Sequence, residues 1–419
     1  IRLDPDDPDT ELRRLLPALV EERPELAIYV LVWDVSVVFG PSRTAAPLVD
    51  RGWHAHPRIH LRYDAHHPPR ASHHEKIVTV DDNLAFVGGI DLTVGRWDVP
   101  GHPAVEPRRA SPDGDECPPV HDVQMAIAGD AARAVSELAR SRWTQAGGAE
   151  LPPCRTRAVP WPPSAAVWLA GADVGIARTR PPIGGSPEVD EVARLNDAAL
   201  AAARDHVYIE AQYLCASAVA DALEALLERD DGPEILVLVW RETTGWLERF
   251  AMGSNRDRVL RRLAAADRHG RLRAYSLASA GEPEREVKLH AKLLVVDDVF
   301  VRIGSSNLNN RSLGVDTECD LAVEAADRDG RTAIARLRDT LLAEHVGRSP
   351  DEVRRAVAAR GLIGGVEALR ADGARLRPYR LEAADGPVDA VPGTGLIDPE
   401  EPVDTAYLMR ELRHRLLRD

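Results

Sequence analysis

Two short runs hold the residue types for chemistry at phosphorus. The pattern His-x-Lys-x4-Asp-x6-Gly occurs at His74/Lys76/Asp81/Gly88 and, with identical spacing, at His290/Lys292/Asp297/Gly304. On a strand alternate side chains share a face, so each histidine and its lysine point at one ligand. A lysine supplies fixed positive charge for phosphate oxygens, and an imidazole supplies a nucleophile or a proton. Two such pairs meeting at a domain interface surround one phosphate with two imidazoles and two ammonium groups. That set suits in-line phosphoryl transfer and calls for no metal or other cofactor. A single His-x-Lys reads as an ordinary exposed pair; its exact recurrence is what argues for a site.

The recurrence extends beyond the motif. His74–Asp82 aligns without a gap on His290–Asp298, Gly88 on Gly304 and Leu92 on Leu308. Upstream, Pro24-Glu25-Leu26 leads into Val30-Leu31-Val32-Trp33 as Pro233-Glu234-Ile235 leads into Val237-Leu238-Val239-Trp240. A repeat of this length is one module present twice. Apolar periodicity predicts helices over 10–22, 131–145, 191–204, 218–228, 255–268 and 331–345, and strands over 27–33, 76–80, 84–87, 124–128, 206–213, 235–240, 272–276, 291–296, 299–303 and 321–323. The fold class is therefore α/β: two similar α/β/α sandwich domains with mixed sheets, related by a pseudo-twofold axis, plus a C-terminal tail. The domains are placed at 1–150 and 164–347, with a C-terminal extension over 348–419 whose helical pieces fall at 350–360 and 405–417. The second copy opens with a strand, Val207-Tyr208-Ile209-Glu210, that the first copy lacks, which reads as a truncated start. The Pro-rich stretch 99–119 reads as a surface insertion, and 147–163 as the interdomain linker.

With 53 basic and 67 acidic residues among 419, the net charge is −14, which argues against a surface built to grip nucleic acid. The cysteines, Cys117, Cys154, Cys215 and Cys319, form no Cys-x-x-Cys pair, so neither a zinc cluster nor a disulfide scaffold is implied. No apolar run approaches the ~20 residues that span a bilayer, which favours a cytoplasmic or peripheral-membrane location. His66 and His67, beside Pro68 and Pro69, read as a solvated loop. Trp53, Trp97, Trp240 and Trp246 read as core or rim packing before any lipid role.

The motif residues resemble the phospholipase D superfamily, whose members carry two His-Lys-Asp motifs. His73-His74-Glu75-Lys76-Ile77-Val78, Ala85–Leu92 and Gly95-Arg96-Trp97-Asp98 look like the first motif of the phosphatidylcholine-type branch. Val207–Tyr213 resembles its Ile-Glu-Asn-Gln segment, with Ala211 in place of the Asn, and Ile303–Ser312 with Asp316-Thr317-Glu318 resembles its second motif. The first motif carries Gly89 and Asp91 where the second carries Ser305 and Asn307, an asymmetry that this branch shares. The resemblance covers about residues 1–345. It implies that one histidine attacks phosphorus while the other protonates the leaving alcohol. By position His74 is the nucleophile and His290 the acid. Each ring needs a carboxylate on its other nitrogen; the resemblance supplies Asp122 for His74 and Glu318 for His290. Asp91, Ser305 and Asn307 are candidates for phosphate contact, although Ser305 and Asn307 also suit a helix cap. Asp81 and Asp297 hold turns, and Gly88 and Gly304 complete the structural motif.

The implied activity is hydrolysis of glycerophospholipids to phosphatidic acid and a free head group. The alternative is transfer of the phosphatidyl group to another alcohol, as in cardiolipin or phosphatidylserine synthesis. A nuclease is disfavoured by the acidic charge and by Gly88-Gly89-Ile90-Asp91. The expected partner is a phospholipid at a membrane surface, with no nucleic acid, met by a monomer.

Overall fold

The structure is a computed structural model and describes residues 2–34, 56–111, 113–154, 160–242, 252–370, 375–379 and 397–402. In the first half, α1 (Leu12–Glu22) precedes β1 (Ile28–Trp33) and β2 (Ile59–Asp64), which pair in parallel. The motif follows, with β3 (Ile77–Val80), β4 (Leu84–Gly88), β5 (Val120–His121), β6 (Gln124–Ala128) and α2 (Asp130–Gln145). The second half runs β7 (Gly175–Arg180), β8 (Val189–Asp190), α3 (Glu191–Ala202), β9 (His206–Ala211), α4 (Ser217–Glu228), β10 (Glu234–Val239), α5 (Ser254–Ala266) and β11 (Leu272–Leu277). It continues through β12 (Lys288–Leu289), β13 (Lys292–Val296), β14 (Phe300–Gly304), α6 (Asn310–Gly314), β15 (Glu318–Glu324), α7 (Arg328–Val346), α8 (Pro350–Leu369) and β16 (Leu376–Pro378).

The second-half strands form one mixed sheet in the order β16-β11-β10-β9-β13-β14-β15-β7-β8. Its central strands are continuously apolar over Ile235–Val239 and Leu293–Val296 because both faces are covered. Ile209 and Val237 face Leu200 of α3, Leu223 and Leu227 of α4 and Leu263 of α5. Tyr208, Leu236 and Val295 face Leu342 of α7 and Val353 and Val366 of α8. Beyond residue 348, α8 packs on this face and β16 pairs antiparallel with β11.

The two halves repeat in register. Ile77 pairs with Val87 and Val80 with Leu84, as Leu293 pairs with Ile303 and Val296 with Phe300. Gly88 pairs with Gln124 as Gly304 pairs with Asp320. Both hairpins turn on an Asp-Asp pair with positive φ: 50° and 58° at Asp81 and Asp82, and 54° at both Asp297 and Asp298. These are the signs of a type I′ turn within a three-residue loop, closed by the Asn83 and Val299 amides on the Val80 and Val296 carbonyls, and Asp tolerates positive φ better than bulkier residues. A Cβ on Gly88 would lie 2.5 Å from the Val123 carbonyl oxygen, and one on Gly304 1.8 Å from Asp320 Oδ1, so neither position admits a side chain.

The halves differ at one strand. In the second, β9 pairs with both β10 and β13 and makes the sheet continuous. In the first, no strand among the described residues joins β1-β2 to β3-β4-β6, so they stand as two sheets. The stretch 99–119 is not a surface insertion. It carries the buried residues His102, Ala104 and Arg109, and folds inward because the Arg109 guanidinium binds the Asp98 carboxylate, at 3.0 and 3.2 Å. No helix among the described residues is long and apolar enough to cross a membrane. The expected helix at 405–417 and Trp53 and Trp246 lie outside the described residues.

Candidate active site

Both motif strands begin just after their histidines, β3 at Ile77 and β13 at Lys292, and the extended segments before them leave their own sheets to pair across the two halves. Lys288 and Leu289 run parallel to Val120 and His121, and His73 bridges Thr317 in parallel. The His74 amide donates to the Thr317 carbonyl at 3.0 Å, and the His290 amide to the His121 carbonyl at 2.8 Å. Each histidine is thereby laid beside the residue that precedes the other half's acid. Glu318 follows Thr317, and Asp122 follows His121.

The carboxylates are accordingly exchanged relative to the sequence reading. His74 Nδ1 lies 2.9 and 3.0 Å from the Glu318 oxygens, and His290 Nδ1 lies 2.8 Å from Asp122 Oδ2. Counting residues within one copy misassigns the partners, because the strand that presents each acid is hydrogen-bonded to the other copy's histidine segment. With Nδ1 donating to a carboxylate, each ring keeps Nε2 for a substrate.

The lysines sit alike. Lys76 Nζ and Lys292 Nζ each donate to the carbonyl of the histidine two residues before, at 2.7 Å in both cases. Their second partners differ: Lys76 is ion-paired with Asp91 at 3.2 Å, and Lys292 donates to Gln212 Oε1 at 3.2 Å. An ammonium has three donors, so each retains one for a phosphate oxygen.

Burial divides the site. The His74 side chain is 27% exposed and that of His290 4%. Burial, reinforced by the charges of Lys292, Arg96, Lys288 and Lys76, holds His290 well below the ordinary imidazole value, so it rests neutral. An isolated ion pair would raise His290 and lower Asp122. Here burial outweighs the pairing on both sides, and Asp122 is pushed up to about 6 and Lys292 down to about 7. Glu318 behaves oppositely. Although wholly buried, it is held below the carboxylate range by His74, Lys76 and a 2.5 Å hydrogen bond from Ser305 Oγ.

Two candidate phosphate contacts change role. The Asp91 carboxylate, lowered to about 2 against burial by Lys76, His74 and Arg96, accepts from Lys76 and Arg96 and has no proton to offer a phosphate. It holds cations in place. The Ser305 hydroxyl is used on Glu318 and on the Cys319 amide, at 3.0 Å. Asn307 is buried and neither its Oδ1 nor its Nδ2 meets a partner among the described residues, so Nδ2 is left to donate to a ligand. Neither residue caps α6; Asn309 does, accepting from the Ser312 amide at 3.2 Å. Asp297 accepts three amides, from Arg204, Asp205 and His206, at 2.8 Å each, and ties its turn to the head of β9. Asp81 lies in the equivalent turn.

The family model described as Phospholipase D matches residues 42–159, and the one described as Cardiolipin synthase, PLD-like domain, matches residues 197–339. Each match contains one of the two motifs. The chain belongs to the phospholipase D superfamily. Phospholipase D of Phytophthora infestans is 36% identical over 115 residues, 24% of this chain and 6% of that protein. Phospholipase D zeta 1 of Arabidopsis thaliana is 30% identical over 174 residues, 34% of this chain and 16% of that one. Phospholipase D alpha 1 of Carica papaya is 24% identical over 67% of this chain and 49% of its own length, so the chain spans half or less of these relatives. Among solved structures, phosphatidylserine synthase of Haemophilus influenzae superposes with a TM-score of 0.49 at 12% identity, over 85% of this chain and 93% of that one.

Within this phospholipase D superfamily site, sequence reasoning missed Arg96 and Gln212. Both stand in quoted motif segments, but nothing in their spacing shows that Arg96 reaches Asp91 or that Gln212 receives Lys292. It also missed Gly89. A Cβ there would meet Asp122 Oδ1 at 2.1 Å and the His290 carbonyl oxygen at 2.8 Å, so a glycine lets the Asp122–His290 pair form.

Proposed function

We propose that this chain is a phospholipase D-type phosphodiesterase. It hydrolyses glycerophospholipids to phosphatidic acid and a free head group through a phosphohistidine. The observation that carries the reading is the exchange of carboxylates, which gives each imidazole a fixed tautomer beside a lysine.

His74 Nε2 attacks phosphorus and the bond to the head-group oxygen breaks. The departing alkoxide takes a proton from His290 Nε2. Water then gives a proton to His290 as its oxygen attacks the phosphohistidine, which frees His74 and releases phosphatidic acid. A phosphorylated imidazole carries positive charge, and Glu318, fully ionised behind His74, is placed to stabilise it. His290 rests neutral in the free protein. A phosphodiester anion between Lys76 and Lys292 offsets the charges that depress it, and the ring takes up its proton at that stage. A depressed imidazolium is a ready donor. Lys76, Lys292 and Asn307 hold the phosphate oxygens. The enzyme acts as a monomer on phospholipid at a membrane surface.

Product analysis on mixed phospholipids, with and without ethanol, tests this. Phosphatidic acid with free head group, partly replaced by phosphatidylethanol when ethanol is present, is expected. The second-half match to the cardiolipin synthase description favours a second reading, phosphatidyl transfer. Cardiolipin formed from phosphatidylglycerol, with no phosphatidic acid, would establish that reading and displace hydrolysis.

A further inference from the structure

His121 and Asp122 are neighbours on an extended segment, so their side chains leave on opposite sides. Asp122 reaches His290. His121 enters a polar pocket built from the 99–119 stretch, β9 and α7, in which His102, Glu210 and His345 are also buried. The His121 ring meets His102 edge-on at 5.4 Å and His345 at 4.8 Å between centroids.

Asp98 accepts from Arg109, from the Val99 and Val120 amides at 2.8 and 2.9 Å, and from His102 Nδ1 at 3.0 Å. With its Nδ1 on Asp98, the His102 ring presents Nε2 to the pocket. Glu210 accepts from the Tyr208 hydroxyl, from His345 Nε2 at 2.7 Å and from His121 Nε2 at 2.7 Å. With Nε2 on Glu210, the His121 ring presents Nδ1 to the pocket.

Those two nitrogens face each other at 3.3 Å, and Glu344 Oε1 lies 3.2 Å from His102 Nε2. The three atoms lie within 4.8 Å of one another, close enough for one ion to touch all three, and Glu344 Oε1 also accepts from the Gly101 amide at 3.0 Å. A metal ion at their centre would satisfy all three atoms at once. Zinc–nitrogen bonds of about 2.0–2.1 Å in a tetrahedron set ligand atoms about 3.3 Å apart, which matches both separations. Each histidine also presents its far nitrogen to a carboxylate, Asp98 or Glu210, the usual support of a metal-bound imidazole. The overlapping set His121, Glu210 and His345 is different: its atoms are already joined by direct hydrogen bonds, so it needs no ion.

We propose that His102 Nε2, His121 Nδ1 and Glu344 Oε1 bind one divalent ion of the zinc class, with a water as fourth ligand. The Glu344 side chain is 23% exposed, which gives the ion a path in and the water its place. Two nitrogens and one oxygen suit a borderline ion better than calcium or magnesium. Arg109, beside Asp98, and Arg375, which feels the charge of Glu344, are the facing cations; they balance the carboxylates without entering the three-atom set. The ion lies behind Asp122 and takes no part in the chemistry at phosphorus. It ties the 99–119 stretch and α7 to the strand that carries Asp122.

The test uses the full chain, purified without a histidine tag and dialysed against metal-free buffer. Metal content is read by mass spectrometry, and cobalt is then added and its visible absorption recorded. The wild type should retain one zinc per chain and give the intense bands of four-coordinate cobalt. His269→Gln, at an exposed histidine, should do the same. Glu344→Gln should bind at least about 10-fold more weakly, and His102→Ala should give neither zinc nor bands. If His102→Ala does not fold, by circular dichroism, Glu344→Gln decides, since its side chain reaches the surface. A folded wild type with no stoichiometric metal and no cobalt bands would overturn the proposal and leave a proton shared by His102 and His121 in the ion's place. Metal that both variants retain would place the ion elsewhere and overturn it equally.

Discussion

The first motif is wet and the second is dry, although their backbones are nearly superposable in register. His74 is open to the cleft, its lysine is neutralised by Asp91, and its acid Glu318 is firmly ionised. His290 is closed in, its lysine has the neutral Gln212 where Lys76 has a carboxylate, and burial pulls both Lys292 and Asp122 toward their uncharged forms. Two copies of one motif thus differ in burial and second partners, not in the motif residues. In the mechanism we propose, that difference divides two identical side chains into nucleophile and acid.

The largest effect that would break this comparison comes from the histidines. His74→Ala should abolish turnover of every substrate. His290→Ala should cost about 10²–10⁴-fold on a phospholipid and much less on a nitrophenyl phosphodiester, whose leaving group needs no proton. Equal losses on both substrates, measured as steady-state kcat, would remove the acid role from His290.

Next in size is the exchange of carboxylates. Asp122→Asn and Glu318→Gln should each lower kcat by about 10–100-fold, with different pH signatures. Asp122 favours the charged form of His290, so its loss should move the alkaline limb of kcat to lower pH. Glu318→Gln should leave that limb in place, because it sits behind the other ring. An alkaline limb that moves with Glu318 and stays with Asp122 would contradict the pairing seen in the structure.

A smaller effect concerns binding. His290 is depressed in the free protein and relieved by a bound anion, so its pKa rises on binding. A group raised in this way strengthens binding below the raised value, and the gain is lost as pH climbs through it. A soluble dialkyl phosphate should therefore bind with proton uptake near neutrality and weaken as pH rises. Calorimetry in buffers of different ionisation heat reads the uptake directly, and zero uptake would mean that His290 is not the group that takes a proton. The smallest expected change is Ser305→Ala, which frees one bond on Glu318 and should cost about 1 kcal/mol, roughly a five-fold loss in kcat/KM.

Much of this was legible before the structure. The strands at 124–128 and 77–80 and the helices at 130–145 and 217–228 follow from apolar period alone. The strand at 59–64 was legible but overlooked: Ile59, Leu61 and Tyr63 alternate with His60, Arg62 and Asp64 at strand period. Which carboxylate serves which histidine, by contrast, was illegible. Pairing between β5 and β12, and between His73 and Thr317, joins residues far apart in the chain, and no local pattern encodes it. The His102–His121–Glu344 pocket was hidden in the same way: Pro and charge made 99–119 look like surface, while Arg109 and His102 turn inward to Asp98.

The account rests on His74 being the ring that bonds to phosphorus. Acid-stable complexes are not expected of a phosphohistidine, so the wild type and His290→Ala should be mixed with a nitrophenyl phosphodiester, quenched in base and mapped by peptide mass spectrometry. The account predicts the phosphoryl group on His74 in both proteins, accumulating to a higher level in His290→Ala because the water step also needs His290. A phosphoryl group on His290 in the wild type, or one that survives His74→Ala, would contradict it.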